Sequence, residues 1–273
     1  MGAEKNRSLL LVGCGKMGSA MLSGLITDGL SKIEIAAVEP GAVPNHLNGK
    51  ISVFKTADEV PSSFNPNLII FAVKPQIINT VVPQYSRFVK PTTLYISIAA
   101  GSTIHKLEKL LGPEAAIIRA MPNTPALIKK AITVACPNEA VSETQLEFAK
   151  LLLQSIGEVI LISDETLLNS VTAISGSGPA YVFYMIECLT QAGEENGLPR
   201  DLAAKLALKT VYGASMLALE SPDTPERLRG HVTSPGGTTY EALQILTADD
   251  NGLEQLIKRA VFAAARRSKE LAG

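Results

Sequence analysis

The sequence has no tryptophan, only three cysteines among 273 residues, and 5% aromatic residues in all. Cys14, Cys136 and Cys188 stand far apart with no CxxC pair, which argues against a disulfide scaffold or a zinc site and suits reduced thiols in the cytoplasm. Charge of one sign is also scarce. With 25 basic and 26 acidic residues the net charge is -1, so no overall field draws the chain to nucleic acid or to an acidic membrane. Long apolar runs are missing too: Leu68 to Val73 is of strand length, far below the roughly 18 residues that span a bilayer. The opening MGAEKNRS has no apolar stretch of the signal-peptide kind, and Asn6 stands where myristoylation requires Ser or Thr. These absences predict a cytoplasmic protein with neither a nucleic-acid nor a membrane partner.

What is present is an ordinary globular composition, 46% hydrophobic and 19% charged, in a length that suits one large or two modest domains. Up to about Ile162, short β-type runs alternate with helix-type segments, the pattern of βαβ units in a parallel sheet covered on both faces. The runs are Leu9 to Val12, Ile33 to Val38, Leu68 to Val73, Leu94 to Ile98, Ala116 to Ile118, Ile132 to Ala135 and Val159 to Ile162. Apolar on both faces, they are expected to be buried. After Ser163 only helical segments follow. This predicts an α/β, Rossmann-type domain over 1–163 and an all-α domain over 164–273.

In the helical half, Gly178-Pro179 starts a helix that ends at Asn196-Gly197, and Pro199 opens the next. Tyr181 to Ile186 is almost wholly apolar, so this helix is expected to be buried within the domain or in a dimer. Ala203, Ala207, Val211, Ala214 and Ala218 form a stripe of small residues suited to close helix packing. In the last helix Glu254 and Lys258 pair four apart, while Arg266, Arg267 and Lys269 complement the helix dipole at its end.

The clearest chemical signal is Gly13-Cys14-Gly15-Lys16-Met17-Gly18, directly after a predicted strand and before a helical stretch ending near Gly29. In a dinucleotide-binding loop, Gly13 permits the tight turn, Gly15 admits the pyrophosphate to the backbone, and Gly18 lets helix and strand pack closely. Glu39 ends the second run, where an acidic side chain accepts the adenosine ribose hydroxyls and repels a 2′-phosphate. With no arginine nearby, the local chemistry leans toward NADH, unless Glu39 turns to solvent or Lys50 or Lys55 folds back. Lys74-Pro75 caps the third run, and Arg119 to Pro125 is a proline-stiffened loop able to present polar groups to a nicotinamide. Ser175 to Pro179 and Ser234 to Thr239 precede helices; the second offers amides and hydroxyls sized for a carboxylate, or is an ordinary capped turn. His46, His105 and His231 lack recognisable Asp or Ser partners, which favours structural or surface roles.

The glycine loop, Ala72 to Pro75, Ser97 to Gly101, Arg119 to Pro125, Ser175 to Tyr181 and Ser234 to Thr239, in this order and over nearly the whole chain, resemble pyrroline-5-carboxylate reductase. The resemblance implies reduction of the cyclic imine of 1-pyrroline-5-carboxylate to L-proline by NADPH or NADH, the last step of proline biosynthesis. It implies a pyrophosphate loop of Gly13, Gly15, Lys16, Met17 and Gly18, and further cofactor contacts at Ala72, Lys74, Pro75 and Ala99. Met121, Pro122 and Asn123 correspond to the floor beneath the nicotinamide. Ser234, Gly237, Thr238 and Thr239 correspond to the substrate loop, with Glu165 also near the substrate and Thr239 closest to the ring nitrogen; no metal is implied.

The resemblance also implies a homodimer, or a ring of dimers, with each active site drawing on the N-terminal domain of one subunit and on helices. Cys14 occupies a place where the family carries a smaller residue, and a thiol there is expected to be oxidation-sensitive. A 3-hydroxyacid dehydrogenase on the same plan needs a lysine on the first long helix of the second domain, and Tyr181 to Gly197 holds none. A non-catalytic dinucleotide sensor has no use for the Ser234 to Thr239 loop.

Overall fold

The computed structural model describes residues 7–27, 33–47 and 49–272. The opening segment read for targeting signals, up to Asn6, and Gly29 lie outside the described residues. Two compact units make up the chain: residues to Ser177 together with those from Ala264 onward, and Gly178–Ala263.

The first unit contains β1 (Arg7–Val12), α1 (Lys16–Thr27), β2 (Ile33–Val38), β3 (Ser52–Phe54), β4 (Leu68–Phe71), α2 (Ile78–Val81) and β5 (Leu94–Ser97). It continues with α3 (Ile104–Leu111), β6 (Ala116–Met121), β7 (Ala131–Pro137), α4 (Glu143–Gln154), β8 (Gly157–Leu161) and α5 (Leu168–Val171). The strands form one sheet in the order β3-β2-β1-β4-β5-β6-β7-β8. Successive residues alternate between its faces. Leu9, Leu11, Leu68, Ile70, Leu94 and Ile96 pack with α1 and α4 on one side, and Leu10, Val12, Ile69, Phe71, Tyr95 and Ile117 pack with α3 on the other. The doubly wound Rossmann-type class read from the sequence is the class observed.

Three details differ from the sequence reading. β6 and β7 pair antiparallel, Arg119 opposite Cys136, whereas the other pairs are parallel. The link between them holds only a 3-10 turn, Thr124–Ile128, shorter than the dozen or so residues that a parallel crossover requires. β3 was not anticipated. It pairs Val38 with Phe54 and so lays the chain after Phe54 beside the end of β2. β8 is an edge strand whose residues are half-buried or exposed in alternation, so it lacks the double burial expected of its apolar run.

The second unit holds α6 (Gly178–Glu195), α7 (Arg200–Glu220), α8 (Pro225–His231), α9 (Thr238–Leu246) and the first part of α10 (Leu253–Ala272). The last strand ends at Leu161, near the predicted change of pattern, while the compact unit runs on to Ser177. Residues 264–272 of α10 also belong to the first unit, where the buried Ser268 hydroxyl donates to Asn169 Oδ1 at 2.9 Å. Arg266 and Arg267 both pair with Glu270, at 3.9 and 2.9 Å, which accounts for the basic cluster at this end.

Gly197, at φ 91°, turns the chain from α6 into α7. The small-residue stripe works at one end only: Ala203 and Ala207 are buried, with Ala203 against Gly193 of α6, and Ala214 and Ala218 are exposed. Burial of α6 within its own domain is overturned. Phe183 is 58% and Tyr184 67% exposed, and Tyr212 and Leu219 on α7 are exposed as well. By length and composition α7 is apolar enough to cross a bilayer, although scattered charges break its apolar run.

Candidate active site

The chain leaves β1 for β2 and β3 on one side and returns to β4 on the other, so the sheet order reverses between β1 and β4. A crevice at the carboxyl ends of such strands is where ligands bind in open α/β sheets. Gly13 stands there at φ 91°, its N–H donating to Val38 O at 2.9 Å, and a Cβ on it would lie 2.8 Å from Ala72 O. A Cβ on Gly18 would collide with Gly13 O, so only glycine lets α1 start this close to the strand. Gly15 is different. A Cβ there would meet nothing within 4 Å, and Gly15 and Lys16 are exposed with Met17 half-buried. The loop therefore leaves open space above Gly15, at the start of a helix with no acidic residue in its first turn, as a pyrophosphate requires.

Glu39 does not turn to solvent. Its Oε2 accepts the Cys14 N–H at 2.7 Å and its Oε1 the Gly41 N–H at 2.9 Å, so the carboxylate ties the glycine loop to the turn after β2. Lys55 does fold back: its Nζ donates to Gly41 O at 2.7 Å and to Pro40 O at 3.4 Å. Cys14 contradicts the expected oxidation sensitivity. The thiol is buried, and burial first, the charge of Glu39 second, push its pKa up to about 11, which keeps it protonated and unreactive.

Further along the sheet, Lys74 is exposed at the tip of its loop and Pro75 opens a 3-10 turn beside the half-buried Ala72. Ala99 is buried, as are Met121, Pro122 and Asn123. The Asn123 amide is engaged by the protein itself: Nδ2 donates to Ser175 O at 3.2 Å and Oδ1 accepts the Ile132 N–H at 3.0 Å. Asn123 thus fixes the shape of the loop.

Arg119, read as the first residue of a loop, is in β6 and 2% exposed. Its Nη1 donates to Glu165 Oε1 at 2.7 Å, and the same oxygen accepts the Ile104 N–H at 2.9 Å. The Glu165 carboxylate, expected near the substrate, is half-buried and held by one of its oxygens in this network. A lone arginine inside an otherwise apolar run is the signal available in the sequence; Lys55 is legible there only as a lysine able to fold back, because the strand that positions it is three residues long.

In the second unit, Ser234 to Thr239 form a turn into α9, closed by the Gly237 N–H donating to Ser234 O at 3.0 Å. A Cβ on Gly237 would lie 2.5 Å from Ser234 Oγ. Among the described residues no side chain caps the start of α9, which leaves its first amides open to an anion, with Thr238 exposed and Thr239 half-buried beside them.

Residues 165–271 match the family profile described as pyrroline-5-carboxylate reductase dimerisation, and residues 8–101 match the one described as NADP oxidoreductase coenzyme F420-dependent. A pyrroline-5-carboxylate reductase of Pseudomonas aeruginosa is 37% identical over 97% of this chain and 96% of its own length. The chain belongs to the pyrroline-5-carboxylate reductase family. The family's Synechocystis reductase is 39% identical over 96% of this chain and 97% of its own. The crystal structure of Plasmodium falciparum pyrroline carboxylate reductase with NADP bound superposes with a TM-score of 0.87 at 31% identity, covering 99% of this chain and all of that one. The dimerisation profile covers the helices on which Phe183, Tyr184 and Tyr212 are exposed.

Proposed function

We propose that the chain reduces 1-pyrroline-5-carboxylate to L-proline, using NADPH or NADH. The observation that carries this reading is 37% identity with a reductase over 97% of this chain, with the dinucleotide loop and the Ser234 to Thr239 turn both present. In this reading the functional division follows the change of pattern after Ser163, with 1–163 holding the dinucleotide and 164–273 the substrate and the subunit contact.

The reduced nicotinamide, when bound, supplies hydride. The residues that fit it are Gly13, Gly15, Lys16, Met17 and Gly18 at the pyrophosphate, Ala72, Lys74, Pro75 and Ala99 further along, and Met121, Pro122 and Asn123 as the floor. Ser234, Gly237, Thr238 and Thr239 hold the substrate. The open amides at the start of α9 take its carboxylate, and the Thr239 hydroxyl bonds to the ring nitrogen. A protonated imine is already an electrophile, so orientation matters more than acid or base help, in keeping with a site built from hydroxyls and amides. Glu165, with one oxygen tied to Arg119 and to the Ile104 N–H and a quarter of its side chain exposed, stands near the substrate.

A second copy of the chain covers the exposed apolar residues of α6 and α7, giving a homodimer that assembles further into a ring of dimers. Such a contact also accounts for the apolar length of α7 without a membrane. Three free thiols and a net charge of -1 agree with a cytoplasmic protein that binds no nucleic acid. The test is absorbance in the reduced-nicotinamide band with purified protein. Loss of absorbance that depends on pyrroline-5-carboxylate supports the reading, and none with either cofactor contradicts it.

A further inference from the structure

The pairing of β2 with β3 places a cation over the turn that follows the acid at the end of β2. Val38 of β2 lies opposite Phe54 of β3, and the Glu39 N–H donates to Phe54 O at 2.9 Å, so the residue after Phe54 emerges beside the end of β2. That residue is Lys55. Its backbone N–H is held by Glu59 Oε2 at 2.8 Å, and its ammonium reaches over the turn to the carbonyls of Gly41 and Pro40. The end of β2 is where the adenosine ribose lies in a Rossmann-type site.

The acid at this end is also committed elsewhere. Each oxygen of Glu39 already accepts a backbone N–H, from Cys14 and from Gly41, so its first role is to brace the glycine loop. A carboxylate turned to two amides is a weaker barrier to a 2′-phosphate than a free one. The Lys55 ammonium has three N–H donors, and carbonyl oxygens of a surface turn are ligands that a phosphate dianion can displace.

We propose that Lys55 binds the 2′-phosphate of NADPH and is the residue that separates NADPH from NADH in this chain. The inference rests on the reductase reading only in needing a dinucleotide at the glycine loop. It reverses the lean toward NADH that Glu39 suggests by itself.

The test is calorimetric titration of the full-length protein with NADP+ and with NAD+, which reads binding without turnover. Lys55→Gln is expected to weaken NADP+ about tenfold, the loss of one charge-assisted hydrogen bond, with NAD+ unchanged within about twofold. Lys55→Arg, which keeps the charge, should retain NADP+ affinity. Equal losses for both dinucleotides, or no loss for either, would overturn the role of Lys55 and leave the reductase reading standing. A wild-type chain that bound neither dinucleotide would overturn both.

Discussion

The Arg119 guanidinium and the Glu165 carboxylate meet at 2.7 Å, joining the end of β6 to the first turn after the sheet. Because Glu165 Oε1 also accepts the Ile104 N–H, this one oxygen ties together β6, the start of α3 and the chain leading into the helices. The pair is asymmetric: Arg119 is 2% exposed and Glu165 25%. Arg119 Nε and Nη2 also have no partner among the described residues.

That asymmetry predicts an order of damage. Glu165→Ala leaves a buried guanidinium without its counter-charge and should cost about 3 kcal/mol of stability. Arg119→Met leaves a carboxylate that water reaches, and should cost less, about 1 to 2 kcal/mol. Urea unfolding at a fixed protein concentration measures both. Equal costs, or the reverse order, would show that the ion pair is not what stabilises this junction.

The glycine loop predicts two different failures. Gly15→Val should fold normally, since a Cβ there meets nothing within 4 Å, but should abolish dinucleotide binding by filling the pyrophosphate's place. Gly18→Ala collides with Gly13 O and should lower stability by about 1 to 3 kcal/mol. Melting curves with and without NADP+ separate the two.

Cys14 should resist alkylation in the folded protein. With its pKa pushed up to about 11, the thiolate is scarce at pH 8 and grows only as the pH approaches that value. Peptide mapping after iodoacetamide should find Cys14 unmodified before unfolding and modified after it. Rapid labelling of the folded protein at pH 8 would contradict the burial.

The parts of the fold legible in the sequence are those written in local pattern. Leu9 to Val12, Leu68 to Phe71 and Leu94 to Ser97 are apolar on both faces because both faces are covered, and Gly13, Gly15 and Gly18 declare the loop. Pairing was less legible. Ser52 to Phe54 is too short to read as a strand, so Lys55 is legible only as a lysine able to fold back, without the pairing that brings it over Gly41. Arg119 interrupts an apolar run and was read as the strand's end, although β6 continues to Met121 and buries it. Tyr181 to Ile186 shows that an apolar run reports burial without saying by what, since this helix stays exposed in the single chain. The sequence does place Asn123 in a proline-stiffened loop. Only the folded chain shows its amide spent on Ser175 and Ile132.

Thr239 carries the substrate half of the account. Thr239→Ala should lower kcat about tenfold, as loss of one hydrogen bond to the reacting ring would, with NADPH affinity unchanged. Steady-state kinetics together with a direct NADPH titration read the two quantities separately. Unchanged kcat would remove Thr239 from the site.

Hydride transfer to the imine carbon can be followed by isotope. NADPH deuterated at the reactive nicotinamide carbon is incubated with the protein and pyrroline-5-carboxylate, and the product is examined by mass spectrometry and NMR. The expected product is L-proline carrying one deuterium at C5, with one NADPH consumed for each proline formed. Absence of proline, or proline without the label, would contradict it.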